Sequence, residues 1–87
     1  MSTERSLDGK TLLITGGAGF IGSHFIRGLL RRHPEARVIN LDKLTYAGNL
    51  DNLRDIREDP RYEFVLGDIR DKALVRRLLA RVQAVVH

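Results

Sequence analysis

Residues 10–32 read KTLLITGGAGFIGSHFIRGLLRR and predict a strand, a glycine-rich turn and a helix, in that order. The first six residues form a short apolar run that ends at glycines, which is typical of a central strand buried on both faces. In residues 20–32 the apolar side chains recur at helical spacing and arginines fall between them. His33-Pro34 predicts the end of this helix, because the residue before a proline avoids the α region.

The remaining sequence continues the alternation of strands and helices. Further strands are predicted at residues 37–42 (RVINLD), 62–66 (YEFVL) and 83–87 (QAVVH). A short helix is predicted at residues 50–57 and a longer, amphipathic one at residues 72–82. Such alternation implies right-handed crossovers, so we predict an α/β fold with a parallel sheet and helices on both of its faces.

The composition excludes several classes of protein. With 87 residues the chain forms one small domain at most, and without cysteine it holds no disulfide and no thiolate metal site. No apolar run is long enough to span a bilayer, and residues 1–9 lack the apolar core of a signal peptide, so we expect a cytoplasmic protein without a membrane partner. The net charge of +4 is spread over helical stretches without interleaved aromatic residues, so we expect no nucleic-acid partner.

The glycine-rich turn at residues 15–22, TGGAGFIG, satisfies the pattern G-x-G-x-x-G through Gly17, Gly19 and Gly22. Gly16 lets the strand turn without a Cβ clash, Gly19 leaves no side chain between the backbone and a diphosphate, and Gly22 lets the helix pack closely on the strand. The helix N-terminus then offers unpaired N–H groups and a partial positive charge to phosphates. A tight turn without a ligand is the alternative, whereas a P-loop is excluded because no lysine follows Gly22. This context predicts a dinucleotide-binding, doubly wound Rossmann fold.

Asp42 ends the second predicted strand, where a dinucleotide-binding fold carries its ribose-binding acid about 20 residues after the glycine turn. A carboxylate there accepts both adenosine ribose hydroxyls and repels a 2′-phosphate, which predicts NAD as the cofactor. Lys43 complicates this prediction, because a cation could pair with a 2′-phosphate, but Asp42 lies where the hydroxyls arrive. An acid exposed to solvent at a strand end is the alternative.

Asp68 follows the third predicted strand and is predicted to accept a hydrogen bond from the adenine amino group. The reason is that ligands of doubly wound sheets bind outside the carboxyl ends of the strands. The alternative role for Asp68 is that of a helix N-cap. Asp71 is better placed for that cap, because it directly precedes the helix predicted from Lys72.

Three segments resemble a known family. TGGAGFIGSH, at residues 15–24, resembles the opening of the extended short-chain dehydrogenase/reductase family, which includes nucleotide-sugar epimerases and dehydratases. LDKLTYAGNLDNL, at residues 41–53, is similar to the segment after the second strand of the dTDP-glucose 4,6-dehydratases. YEFVLGDIRD, at residues 62–71, is similar to their adenine-contacting region, so the resemblance runs from about residue 10 to residue 87.

This resemblance implies additional coenzyme-binding residues at the ends of the first three strands. Phe20 and Ile21 would lie near the diphosphate. Asp42, Lys43, Leu44 and Thr45 would lie near the ribose, and Asp68 and Ile69 near the adenine. The resemblance also implies NAD-dependent dehydration of dTDP-glucose. Hydride leaves C4 of the sugar, water is lost across C5 and C6, and the hydride returns to C6, which gives dTDP-4-keto-6-deoxyglucose.

The catalytic residues of such an enzyme are not found in the sequence. Neither Tyr46 nor Tyr62 has a lysine four residues later, so the family's Tyr-x-x-x-Lys pair is absent and we expect the chain alone to be inactive. We interpret residues 10–87 as the N-terminal part of a truncated NAD-binding Rossmann domain, after a flexible lead-in at residues 1–9, from an enzyme that forms a homodimer. The alternatives are another nucleotide-sugar epimerase or dehydratase of the same superfamily, and a non-catalytic dinucleotide-binding module.

Overall fold

The computed structural model describes residues 9–16, 20–43 and 53–86, with only the backbone of Phe20. In these ranges the elements are, in chain order, β1 (Thr11–Thr15), α1 (Phe20–Arg32), β2 (Arg37–Asp42), β3 (Tyr62–Leu66), α2 (Lys72–Leu79) and β4 (Ala84–Val86). The strands form one parallel sheet of four in the order β3-β2-β1-β4. The predicted parallel α/β fold is therefore confirmed. None of the described helices has the length and apolarity needed to cross a bilayer.

Two apolar clusters lie on opposite faces of the sheet, because successive side chains of a strand point to opposite faces. The cluster beneath α1 and the turns after Leu53 includes Leu12, Ile14, Ile26, Leu29, Val38 and Leu53. The cluster beneath α2 is formed by Leu13, Ile39, Leu41 and Leu78. Both faces of the sheet are therefore covered, which is the doubly wound arrangement predicted from the sequence.

An arginine closes the C-terminal end of α1. Nη1 of Arg61 donates to the carbonyl oxygens of Leu30, His33 and Pro34 at 3.0, 3.2 and 2.9 Å. A cation at this position also complements the partial negative charge of the helix end. Asp59 accepts from the backbone N–H of Arg61 at 2.8 Å and from its Nη2 at 3.3 Å, so the residues before β3 are attached to α1.

The short helix predicted at residues 50–57 is wrong for the part that the structure describes. Leu53 is 3₁₀-helical and residues 54–58 form turns rather than an α-helix, in which the N–H of Ile56 donates to Leu53 at 3.1 Å and that of Asp59 donates to Ile56 at 3.0 Å. Bonds between residues three apart are typical of short segments, because few residues are available to continue a regular α-helix. The turns still bring Leu53 and Ile56 into the core beneath α1.

The second helix is shorter than predicted, since it ends at Leu79 rather than at Val82. The N–H of Arg81 bonds to Leu78 at 2.9 Å and that of Val82 to Leu79 at 3.4 Å, so the chain winds more tightly after the helix. This tightening is followed by Gln83, whose N–H donates to the carbonyl of Thr11 at 2.9 Å and whose Oε1 accepts from the Thr11 N–H at 2.7 Å. The fourth strand accordingly begins at residue 84, one residue later than predicted.

Candidate functional site

The first three strands end side by side at one edge of the parallel sheet. Two backbone hydrogen bonds continue the pairing past the strands: the N–H of Gly16 donates to Leu41 at 3.0 Å, and that of Gly67 donates to Asp42 at 3.1 Å. The glycine turn, Asp42 and the segment leading to Asp68 therefore leave the sheet at the same edge. In open α/β sheets this edge, outside the carboxyl ends of the strands, is where ligands bind.

Gly16 turns the chain sharply after β1, as predicted. Its φ of 71° lies in the left-handed region, which glycine adopts without a Cβ penalty. Gly19 and the side chain of Phe20 lie outside the described residues, so their predicted roles stay predictions. Gly22 lies in the first turns of α1 and is half-buried, whereas the neighbouring Ile21 side chain is 81% exposed.

The N-termini of the two helices differ in their electrostatics. Asp71 caps α2, where its Oδ1 accepts a hydrogen bond from the Leu74 N–H at 3.1 Å, and the predicted cap is confirmed. Neither helix has an acidic residue in its first turn, so the Asp71 cap is what distinguishes α2, and the last turn of α1 contains Arg31 and Arg32. No carboxylate in that first turn of α1 opposes the positive end of the helix dipole, which is the arrangement that suits a bound anion.

Asp42 is almost entirely buried, with 5% of its surface exposed. Strand alternation puts it on the same face of the sheet as Asn40, whose Nδ2 donates to the hydroxyl of Tyr62 at 3.0 Å. Burial and, to a smaller extent, the charge of Asp42 raise the pKa of Tyr62, while the Asn40 hydrogen bond opposes this shift. The alternative in which Asp42 is exposed to solvent at a strand end is therefore wrong.

Asp68 is held by the arginine two residues later. The backbone N–H of Arg70 donates to Oδ1 at 2.8 Å, and its Nη2 donates to Oδ2 at 2.8 Å. Nζ of Lys43 lies 3.7 Å from the same Oδ2. These cations, Arg70 first, hold the pKa of the Asp68 carboxyl well below its usual range. Since Asp71 caps α2, the alternative of Asp68 as its cap is wrong.

Arg70, which is not among the residues predicted from the sequence, contacts Asp68 more closely than Lys43 does. Its signal is the motif Asp-x-Arg directly after a strand, in which the backbone and side chain of the arginine can both reach the aspartate. Three apolar residues near the same edge are also exposed: Ile21, Leu66 and Ile69, at 81, 65 and 47%. Leu44 and Thr45 lie outside the described residues.

Comparison with known proteins identifies relatives of the chain. A family model described as GDP-mannose 4,6 dehydratase matches residues 13–87. A dTDP-glucose 4,6-dehydratase of Neisseria gonorrhoeae is 51% identical over 80 residues, which cover 90% of this chain and 23% of the relative. The chain thus spans about a quarter of the length of such curated relatives.

The chain is also similar to solved structures of dTDP-glucose 4,6-dehydratases. A dTDP-glucose 4,6-dehydratase of Bacillus anthracis in complex with NAD has a TM-score of 0.83 and 42% identity, covering 87% of this chain and 25% of that one. DesIV, a dTDP-glucose 4,6-dehydratase of Streptomyces venezuelae with NAD bound, has a TM-score of 0.80 and 57% identity, covering 88% and 25%. The chain therefore belongs to the GDP-mannose 4,6-dehydratase family, and its predicted resemblance to the dTDP-glucose 4,6-dehydratases is confirmed.

Proposed function

We propose that this chain is the NAD-binding segment of an enzyme that converts dTDP-glucose to dTDP-4-keto-6-deoxyglucose and water. The observation that carries the proposal is the arrangement of the carboxyl edge of the sheet. Gly16, with its positive φ, and the acids Asp42 and Asp68 follow three adjacent strands there. About half of the residues are also identical to those of dTDP-glucose 4,6-dehydratases.

The diphosphate of the coenzyme is proposed to lie over the turn between β1 and α1. Gly16 directs the chain away from the strand, Gly19 allows close approach to the backbone, and Gly22 lets α1 pack near β1. The first turn of α1 has no carboxylate of its own, so its N–H groups and positive dipole end suit a phosphate. Phe20 and Ile21 would line this turn, and the high exposure of Ile21 supports contact with a ligand.

The adenosine ribose is proposed to bind at Asp42, whose carboxylate would accept hydrogen bonds from both hydroxyls. A nearly buried acid also repels a 2′-phosphate strongly, because the interaction is little screened by water. Lys43 does not remove this preference, since its ammonium lies beside Asp68 and is partly neutralised there. We therefore propose NAD rather than NADP as the coenzyme, with Leu44 and Thr45 completing the ribose side.

The adenine is proposed to bind between the ends of β2 and β3. Asp68 would accept from its amino group, and Ile69, which is 47% exposed, would cover a face of the ring. Asp68 is an ionised acceptor at neutral pH, and Arg70 lowers the pKa of its carboxyl further below the ordinary value of 3.8. When bound, NAD supplies an acceptor for hydride from the sugar and later a donor that returns it.

The catalytic steps on the sugar are proposed to depend on residues that this chain does not contain. Tyr46 and Tyr62 are followed four residues later by Leu50 and Leu66, so neither begins a Tyr-x-x-x-Lys pair. The hydroxyl of Tyr62 is also occupied by Asn40 in the core. We therefore propose that residues 1–87 alone are inactive, whereas the cytoplasmic location and the homodimer of the intact enzyme stay predictions.

The proposal is tested by incubating the intact enzyme with dTDP-glucose and identifying the product by NMR. We expect dTDP-4-keto-6-deoxyglucose, with deuterium moved from C4 to C6 of a C4-deuterated substrate. A sugar inverted at C4 with its C6 hydroxyl retained would indicate an epimerase of the same superfamily. Binding of NAD without turnover of any nucleotide sugar would favour a non-catalytic module.

A further inference from the structure

We propose that Arg70 is a positioning residue that orients the Asp68 carboxylate for recognition of the adenine amino group. This inference rests on the proposed function, because it assumes that the coenzyme binds at the carboxyl edge of the sheet. The observation that carries it is the geometry of the pair. Nε of Arg70 lies 3.2 and 3.1 Å from the two carboxylate oxygens of Asp68, and Nη2 lies 2.8 Å from Oδ2.

The backbone takes part in the same arrangement. The N–H of Arg70 donates to Oδ1 of Asp68 at 2.8 Å, so the carboxylate is fixed from the main chain and from the guanidinium together. A planar guanidinium with two N–H groups directed at one carboxylate defines both its position and its plane. Asp68 is therefore oriented before a ligand arrives, which reduces the ordering cost of binding.

The remaining acceptor capacity of Asp68 matches one additional donor. An ionised carboxylate offers about four acceptor sites. Three donors of Arg70 occupy most of them, namely its backbone N–H, its Nη2 and its Nε, which is shared between the two oxygens, and Lys43 adds a more distant charge at 3.7 Å. An adenine amino group can direct one of its two N–H donors at the carboxylate, whereas hypoxanthine, which carries a carbonyl oxygen at that position, would meet the carboxylate as a second acceptor.

A direct role for Arg70 predicts a different result. Its side chain is 80% exposed, so the guanidinium could stack on any purine ring. Stacking would strengthen the binding of adenine and hypoxanthine equally, because both rings are flat and aromatic. Positioning of Asp68 strengthens the binding of adenine alone. Discrimination between the two bases therefore separates the two roles.

The experiment measures dissociation constants of the intact enzyme for NAD and for nicotinamide hypoxanthine dinucleotide by calorimetry. We expect wild type to bind NAD at least tenfold more tightly than the hypoxanthine analogue. Arg70→Ala should raise the dissociation constant for NAD about tenfold and change that for the analogue by no more than about twofold. Arg70→Lys should restore part of the preference, because lysine supplies the charge without the planar pair of donors. Arg77→Ala, which removes an exposed arginine of α2, is the matched control and should change neither constant.

Several results would overturn the inference. Equal weakening of both dinucleotides in Arg70→Ala would indicate stacking or a general charge effect, and an unchanged preference would show that Asp68 needs no orientation. A wild-type enzyme that binds NAD without preferring it to the analogue would contradict the inference and leave the proposed function standing. A wild-type enzyme that binds neither dinucleotide would contradict both. Because the Arg70 side chain is exposed, its variants should melt within a few degrees of wild type.

Discussion

Arg27 of α1 and Asp55 form a two-pronged ion pair across 28 positions of the sequence. Nε of Arg27 donates to the two Asp55 oxygens at 3.0 and 2.8 Å, and Nη2 donates to Oδ1 at 2.7 Å. The pair joins α1 to the turns at residues 54–58. Asp55, which lies in these turns, is thus attached to α1.

The Arg27–Asp55 pair should make a small, measurable contribution to stability. The two side chains are 23 and 58% exposed, so water screens much of their attraction. In a double-mutant cycle with Arg27→Ala and Asp55→Ala, we expect a coupling of about 0.5–1 kcal/mol in the free energy of unfolding. Urea denaturation of the intact protein measures it. Exactly additive single effects would mean that the pair does not form in solution.

A side chain at Gly67 should force the packed side chains of Leu74 and Leu41 to move. A Cβ at Gly67 would overlap the side chain of Leu74 and lie 3.2 Å from Cδ1 of Leu41. We expect Gly67→Ala to lower the free energy of unfolding by about 1–3 kcal/mol. The substitution should also weaken the binding of NAD, since residue 67 connects β3 to Asp68.

Gly28→Ala is the control for that substitution. A Cβ at Gly28 would approach only the end of the flexible Arg32 side chain, at 3.0 Å. We expect this variant to be more stable by about 0.5–1 kcal/mol, because alanine favours a helix interior more than glycine does. Equal effects of the two substitutions in thermal denaturation would show that packing at residue 67 has no special tightness.

Asp42 should determine the choice between the two nicotinamide coenzymes. We expect Asp42→Ala to weaken NAD about 10- to 100-fold, because two ribose hydroxyls lose their acceptor, and to weaken NADP far less. Fluorescence titration of the intact enzyme with each coenzyme measures the change. Asp71→Ala is the control: it removes a helix cap and costs about 1 kcal/mol of stability, but should leave the preference for NAD unchanged. If Asp42→Ala left the ratio of the dissociation constants for NAD and NADP unchanged, Asp42 would not be part of the coenzyme site.

Acid should destabilise the fold through its ion-paired carboxylates. Hydrogen bonds from arginines lower the pKa of Asp55, Glu63 and Asp68. The ordinary pKa is 3.8 for the two aspartates and 4.5 for the glutamate. A carboxyl whose pKa is lower in the folded than in the unfolded state stabilises the protein at any pH above its unfolded-state pKa. This stabilisation is lost as the pH falls through its folded-state pKa. We expect the melting temperature to be level from pH 7 to about 5 and to fall between about pH 4.5 and 2. A melting temperature that rises over that range would contradict the ion pairs.

Local patterns were sufficient to predict the sheet and both long helices. The apolar run before Gly16, the helical spacing after it and the His33-Pro34 stop all act within a few residues, and the structure follows them. Asp71 was identified as a cap for the same reason, because a cap depends only on its position before the helix.

The elements predicted incorrectly are those that distant residues determine. Residues 54–58 form turns in which Asp55 bonds to Arg27, and α2 ends three residues early, ahead of Gln83, which bonds to Thr11. Neither partner can be recognised from the neighbouring sequence. Arg70 was missed for a related reason: its spacing from Asp68 permits the contact, but an exposed arginine can point in many directions.

A crystal structure of the intact enzyme with NAD would locate the coenzyme directly. We predict hydrogen bonds from the adenosine ribose hydroxyls to the Asp42 carboxylate, the diphosphate against the backbone at Gly19, and the adenine amino group beside Asp68. A coenzyme bound at another edge of the sheet, with Gly19 and Asp42 out of contact, would contradict the central claim.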